Sequence, residues 1–461
     1  MAVLDAQLAL LPRITAPELR GSVAEVRGLA LRVADLPAPV GAQVRIDAGG
    51  GANPIRGEVV GIEADRSIVM PLGPTAGLRA GDAVIVLRQD QSVRVGTSLL
   101  GRVLDGLGRP IDGKGPLHDT ADRPISPAPV DPLDRPVIDE PLATGVRAID
   151  AMIPLGRGQR LGVFAAPGVG KSTLLGSIAR HTAADVSVIA LIGERGREVR
   201  DFLENTLGPD GLARSVVICA TGDEPALMRI RAAQCACAVA EFFRDEARDV
   251  LFVMDSVTRF CHAQRQVGLA AGEPPATRGY PPSVFATLPE LLERSGRTSR
   301  GSITGLYAVL VEADDMNEPI SDACRGILDG HVLLSRQLAE KGHYPAIDVL
   351  ASISRVAEHI TDAEHKAARR DVVRLISAYR QVEELLNIGA YARGSNPEYD
   401  LAIACQDAID QLLQQGPHEG AAANDFNRTR AQLLALAQQV DQQRQQLQGQ
   451  RGGRRTPAGP G

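Results

Sequence analysis

The chain has 461 residues, 44% of them hydrophobic and 23% charged, and a formal net charge of −6. That length predicts about two to four domains of ordinary globular composition. The slightly acidic balance excludes a global attraction to nucleic acid or anionic lipid. The opening MAVLDAQLALLPRI places Asp5 among its apolar residues and has no basic stretch before them, so it does not read as a secretory signal. No apolar run approaches the ~20 residues that span a bilayer. The six cysteines, at 219, 235, 237, 261, 324 and 405, fall within apolar or helical patterns. Cys235-Ala236-Cys237 is too tight for the usual zinc spacing, and the set reads as reduced core thiols of a cytoplasmic protein.

In chain order, residues 1–20 form a short leader, with Leu4, Leu8 and Leu11 on one helical face that Pro12 ends. Residues 21–95 read as short alternating strands, VAEVRGLALRV, PIRGEVVGIE, SIVMPL and AVIVL, parted by Gly, Pro and Asp turns. This is the pattern of a small β-barrel. Residues 96–150 are rich in Pro and Gly and read as irregular connections. From Arg160 to about Arg355, nearly continuous apolar strands alternate with helices, which predicts a parallel sheet covered on both faces. The divisions expected are a leader at 1–20, a barrel at 21–95, an α/β P-loop core at 96–356 and a helical unit at 357–416. The remainder, 417–461, is a Gln/Arg-rich tail with a loose Leu433, Leu436, Val440 and Leu447 stripe, and its end, GQRGGRRTPAGPG, is expected to be disordered.

The segment AAPGVGKS, Ala165–Ser172, follows a strand and opens a helix. Its spacing is that of a phosphate-binding loop whose first glycine is Ala165. Gly168 and Gly170 can take the φ values that turn successive N–H groups toward an anion. In this reading Ala166, Pro167, Gly168, Val169, Gly170, Lys171, Ser172 and Thr173 bind the nucleotide. Lys171 bridges the β- and γ-phosphates, and the Ser172 hydroxyl ligates Mg²⁺. Of fifty basic residues only four are Lys, yet one stands in this loop, where a compact ammonium fits and a planar guanidinium would overfill the cradle.

Asp255 ends the strand VLFVMD, expected beside the loop's strand, where a carboxylate can hold Mg²⁺ through water or cap a helix. Ser256 could serve as that cap too. Glu194 ends the strand before GERGREV, on the same edge as the loop. It suits either a residue that polarises attacking water or a capping carboxylate. Glu198, one helical turn on, could support Mg²⁺-bound water. Asp314 and Asp315 follow another core strand, as outer members of the site or as its terminator. Tyr344 precedes Pro345, where the ring can pack locally or stack on a base. Arg355 ends SISR, where a solvated charge and a capping donor fit equally.

Together AAPGVGKSTLLG, LIGERGREVRDFL, VMDSVTRFCHAQRQVGLAAGEPPATRGYPPSVFATLPELLERSG, VEADDMNEPISDACRGILDGH and GHYPAIDVLASISR resemble the type III protein export ATPases, relatives of the catalytic subunits of rotary ATP synthases. The likeness runs from about residue 21 to 415. The wording DDMNEPISD and DEPALMRIRAA leans toward the flagellum-specific branch rather than the injectisome one. The resemblance implies an Mg²⁺-dependent ATPase with Glu194 as catalytic glutamate, followed by Arg195, and Asp255 as the Walker B aspartate. It implies Tyr344 stacked on adenine and Arg355 as an arginine finger acting on a neighbouring subunit's nucleotide. It also implies a homohexameric ring at the inner membrane's cytoplasmic face. The partners it implies are a stator-like regulator at the N-terminus, a central stalk-like protein, export-gate membrane proteins, and export substrates with their chaperones. The short leader and the tail after about residue 417 stand outside the family pattern.

A ring-shaped nucleic-acid motor shares this core and a barrel, and a rotary synthase subunit shares the core. Barrels that bind single strands need aromatic platforms and basic grooves. The first aromatic residue of this chain is Phe164, and residues 21–93 carry seven Arg against eight Asp plus Glu. Single-stranded RNA or DNA is therefore expected to leave ATP turnover unchanged at physiological salt. Salt-sensitive stimulation with a defined nucleotide site size would revive the motor reading. A ring subunit that binds nucleotide without hydrolysing it fits poorly with a chain that carries both Glu194 and Arg355.

Overall fold

The computed structural model describes residues 18–48, 53–89, 91–311, 315–416, 419 and 425–453. The leader helix expected around Leu4, Leu8 and Leu11, and the end of the tail from 454, lie outside them.

Six strands close the N-terminal barrel in the order Arg20–Arg27, Ala30–Ala34, Arg66–Pro71, Ile55–Glu63, Gln43–Asp47 and Ala83–Arg88. Alternation fills it with Val23, Leu31, Val33, Val44, Ile46, Val59 and Val69. VAEVRGLALRV is two strands rather than one, because Gly28 at φ 59 turns the chain into a hairpin.

A buried ion pair fastens the barrel to the core. Glu58 accepts from Arg231 Nε at 2.8 Å and from Gln91 Nε2 at 2.8 Å. The two charged side chains are 11% and 3% exposed. Burial raises the Glu58 carboxyl, and Arg231 opposes that shift. Glu58→Ala leaves a buried guanidinium without its counter-charge. It should cost about 3–5 kcal/mol, read as a lower urea midpoint in the transition that includes the barrel.

The central sheet runs Ile353–Ser354, Gly330–Leu334, Arg160–Ala165, Ser302–Leu310, Asp249–Asp255, Val186–Ile192, Ser215–Ala220 and Arg102–Leu104. From Gly330–Leu334 to Arg102–Leu104 every pairing is parallel. Val186–Ile192 and Ser215–Ala220 are buried at every residue, which is why they read as continuous apolar runs. Two expectations need correcting. Within the supposedly irregular 96–150, Arg102–Leu104 adds an edge strand and Arg147–Met152 forms a helix. The Asp255 strand is also not beside the loop's strand, because Ser302–Leu310, a later strand, lies between them.

The C-terminal helices Ala363–Asn387, Pro397–Leu413 and Phe426–Gly453 pack together. The last corrects the expected tail. Leu433, Leu436 and Val440 are buried in one core with Val372, Leu375 and Ile409. Arg430 binds Asp362 and Glu364, each at 2.6 Å, and Phe426 stacks on His365 with ring centroids 5.6 Å apart. The leucine stripe is the buried face of a helix, and the Gln residues lie mostly on its outer faces.

Candidate active site

The phosphate loop leaves the fully buried end of Arg160–Ala165 and enters the helix Lys171–His181. Gly168 and Gly170 have φ values of 84° and 94°, a region that L side chains rarely adopt. Ala165 and Ala166 are buried, 0% and 2% exposed, so the position usually held by glycine is part of the packed strand end. Pro167 and Gly168 stand exposed at the tip.

Parallel strands bring their carboxyl ends to one edge, and the candidate charges gather there. Lys171 Nζ contacts Asp255 Oδ1. Asp255 is 4% exposed, and Ser256 takes the helix cap, its Oγ accepting from the Arg259 backbone N–H at 3.3 Å. That leaves the Asp255 carboxylate turned to the site. A cavity of about 110 Å³ is lined by Ser172, Glu194, Glu198 and Asp255 together with Phe202 and Thr206. Burial, and then the charge of Asp255, push the Glu194 carboxyl up to about 7, while Lys171 pulls it down. Arg195 is exposed and does not line this cavity; it meets the cluster through Glu198, with which it pairs at 3.3 Å.

A second cavity of about 410 Å³ adjoins the loop. Gly168, Val169, Gly170 and Thr173 form its floor, and Tyr344, Pro345 and Ala346 one wall. Tyr344 is 46% exposed and its Cε1 lies 3.7 Å from where a Cβ on Gly170 would be. A flat ring beside a phosphate cradle is suited to stacking on a base.

Arg355 is elsewhere. Ser354 pairs with Gly330, at the start of the strand Gly330–Leu334, whereas Leu334 at its far end pairs with Ala165. Four residues at ~3.3 Å each separate the two levels by about 13 Å along the sheet. Arg355 is exposed and donates to the Arg325 carbonyl at 3.1 Å. Asp315 lies against Arg278 at 3.5 Å, and Asp314 lies outside the described residues.

Two residues at the site escaped the sequence reading. The aliphatic stem of Arg259 lies under Gly193, where an added Cβ would meet it at 2.8 Å, beside Glu194. Its position four residues after Asp255 was the available signal. Gln415 lines the larger cavity, and nothing in its sequence surroundings marks it.

The donors around the smaller cavity are a hydroxyl and carboxylates, which suit a hard cation. Among the described residues no group of three His, Cys, Asp or Glu could hold a metal alone. Mg²⁺ is one such cation, and it keeps its waters and is held largely by substrate phosphates.

A phosphate loop at the carboxyl edge of a parallel sheet, with carboxylates facing its lysine and a barrel ahead of it, defines a P-loop ATPase built on the plan of ATP synthase subunits. Family models agree segment by segment. Residues 23–88 match the beta-barrel domain and 145–354 the nucleotide-binding domain of the ATP synthase alpha/beta family, and 361–435 match the T3SS EscN ATPase C-terminal domain. The last match includes the start of the final helix, so that part of the chain does have a family counterpart. The chain is 49% identical to the flagellum-specific ATP synthase of Treponema pallidum, over 90% of its own length and 93% of the relative's. It is 51% identical to the type 3 secretion system ATPase of Xanthomonas euvesicatoria, over 86% and 89%. The assembled ATPase EscN of enteropathogenic E. coli superposes with a TM-score of 0.84 at 41% identity, covering 90% of this chain and all of that one. The chain belongs to the family of flagellum-specific and type 3 secretion system ATPases, and it is an ATPase.

Proposed function

We propose that this ATPase powers type III export of flagellar components, as a homohexamer that hydrolyses Mg²⁺-bound ATP at subunit interfaces. The observation that carries the shared site is the position of Arg355, at the opposite end of the sheet from its own loop. Within one subunit, Lys171 exchanges Asp255 for the β- and γ-phosphates, and the loop N–H groups hold their oxygens. Ser172, with Asp255 and Glu198 through water, would hold Mg²⁺, which screens phosphate charge when bound. The Glu194 carboxylate takes the proton of the water that attacks the γ-phosphate, and ADP and phosphate leave. Tyr344 stacks on the adenine. Arg195 orients Glu198 through their ion pair.

EscN has been seen assembled and in complex with its central stalk EscO. By analogy the partners here are a stalk-like protein, a stator-like regulator at the N-terminus, gate proteins, and export substrates with chaperones. The ATPase itself is cytoplasmic and sits peripherally at the inner membrane. No described helix is long and apolar enough to cross a membrane. The flagellum-specific protein of Salmonella typhimurium matches at 48% over 434 residues, a longer span than the 395 residues of the Xanthomonas relative. The injectisome reading is kept by the Xanthomonas relative, whose 51% identity is no lower. Deletion of the gene decides between them. Loss of filaments and motility supports flagellar export, whereas motile cells that no longer secrete effectors overturn it.

A further inference from the structure

Arg355 follows a strand of only two residues, Ile353–Ser354, shorter than the usual strand and a weak hold by itself. A second hold comes from Gln159, the residue before the strand Arg160–Ala165. Gln159 is 0% exposed, and its carboxamide is engaged at both atoms. Its Nε2 donates to the Ser354 hydroxyl at 3.1 Å and to the Asp329 carbonyl at 3.1 Å, and its Oε1 accepts from the Gly156 N–H at 2.9 Å. The same Asp329 carbonyl accepts from the Arg355 backbone N–H at 2.9 Å. A carbonyl oxygen has two lone pairs, and these two donors take both. Asp329 is in turn pinned to the sheet. Its N–H donates to the Arg160 carbonyl at 2.9 Å, and its carboxylate accepts from the Arg160 N–H at 3.0 Å, Nε at 3.0 Å and Nη2 at 3.1 Å. Gly330 lets the short strand lie close, because an added Cβ there would meet the Ile353 carbonyl oxygen at 2.3 Å. Gln159 thus ties the central sheet to Ser354 directly and to Arg355 through a shared carbonyl.

We propose that Gln159 is a positioning residue for Arg355, fixing where its guanidinium enters the neighbouring subunit's site. The proposal rests on the reading that Arg355 acts across the interface. The physical argument is pre-organisation. Arg355 is exposed, so the place its long side chain can reach is decided by how firmly its backbone is held. A cation stabilises the transition state only where charge develops, and a misplacement of about 1 Å can cost about 10²-fold. Without the Gln159 amide, Ser354 keeps only its ladder to Gly330, and the Asp329 carbonyl keeps one donor. The segment carrying Arg355 then loosens. The subunit's own phosphate cradle, at the other end of the strand Arg160–Ala165, keeps its geometry.

Two variants test it in the purified full chain. Gln159→Met keeps the volume without the hydrogen bonds, and should lower kcat about 10- to 100-fold with KM for ATP within about two-fold. Ser354→Ala removes one hydroxyl, and should lower kcat about three- to ten-fold, again with KM unchanged. Mixing then locates the lesion. Gln159→Met mixed with Glu194→Gln should regain activity, because some interfaces join an intact Glu194 to an Arg355 that is properly held. Gln159→Met mixed with Arg355→Ala should regain none, because every interface then lacks a properly held Arg355. Recovery with both partners overturns the proposal. So does recovery with neither, where Arg355→Ala and Glu194→Gln do restore each other. If Gln159→Met forms no rings, Ser354→Ala decides, and wild-type kcat in that variant overturns the proposal. Normal turnover by Gln159→Met beside an inactive Arg355→Ala overturns the role of Gln159 and leaves the shared site standing. An active Arg355→Ala would instead overturn the shared site itself.

Discussion

Glu194→Gln is expected to bind ATP with near-normal affinity and to lose turnover by about 10²–10⁴-fold, the usual scale of general-base assistance. The amide keeps the shape of the side chain and its place beside Ser172 and Asp255, but it cannot take a proton. The same assignment fixes a pH dependence and its sign. Burial and the charge of Asp255 hold the Glu194 carboxyl up at about 7. Below that pH the group is protonated and cannot accept the proton of water. Turnover of the wild type should therefore rise as pH increases through about 7 and level off above it. The residual activity of Glu194→Gln should lack that acid limb. Near-full activity of the variant, or an acid limb it retains unchanged, would remove Glu194 from the chemistry.

The contrast between what could be read from the chain and what could not follows from the range of the interactions involved. Lys171, Glu194 and Asp255 each stand at or just beyond the end of an apolar strand, and parallel strands bring such ends to one edge whatever the strand order. The site was legible for that reason. Strand order was not, because the strand Ser302–Leu310 that separates Lys171's strand from Asp255's comes later in the chain. Lys171 still reaches Asp255 across it. Arg102–Leu104 was hidden because three residues among prolines and glycines carry no periodicity. The final helix was concealed by its Gln content, although Leu433, Leu436 and Val440 repeat at helical spacing. Gln415 had no signal at all. Its partners, Gly145 and Arg147, lie some 270 residues away in sequence and are set only by tertiary packing.

Arg355→Ala is expected to bind ATP almost normally and to lose about 10³–10⁵-fold in turnover, the scale of an arginine finger. Charge spreads over the γ-phosphate oxygens in the transition state, and the described loop offers Lys171 as its cation there. Arg355 cannot join it from the same chain. It emerges where Ser354 meets Gly330, about 13 Å of strand from the level of Ala165, and a single side chain does not span that distance. It is also exposed, and so free to meet another subunit. Turnover per subunit should consequently rise steeply with protein concentration as rings form. Mixing provides the sharper measurement. Arg355→Ala and Glu194→Gln proteins are each nearly inactive alone, but mixed rings contain interfaces with an intact Glu194 on one side and an intact Arg355 on the other. Activity should partly return on mixing, and should do so only under conditions where sedimentation shows mixed rings. Wild-type turnover that is independent of concentration and belongs to a monomer would end the shared-site mechanism, because a monomer has the cradle and the carboxylates but no Arg355 from a neighbouring subunit.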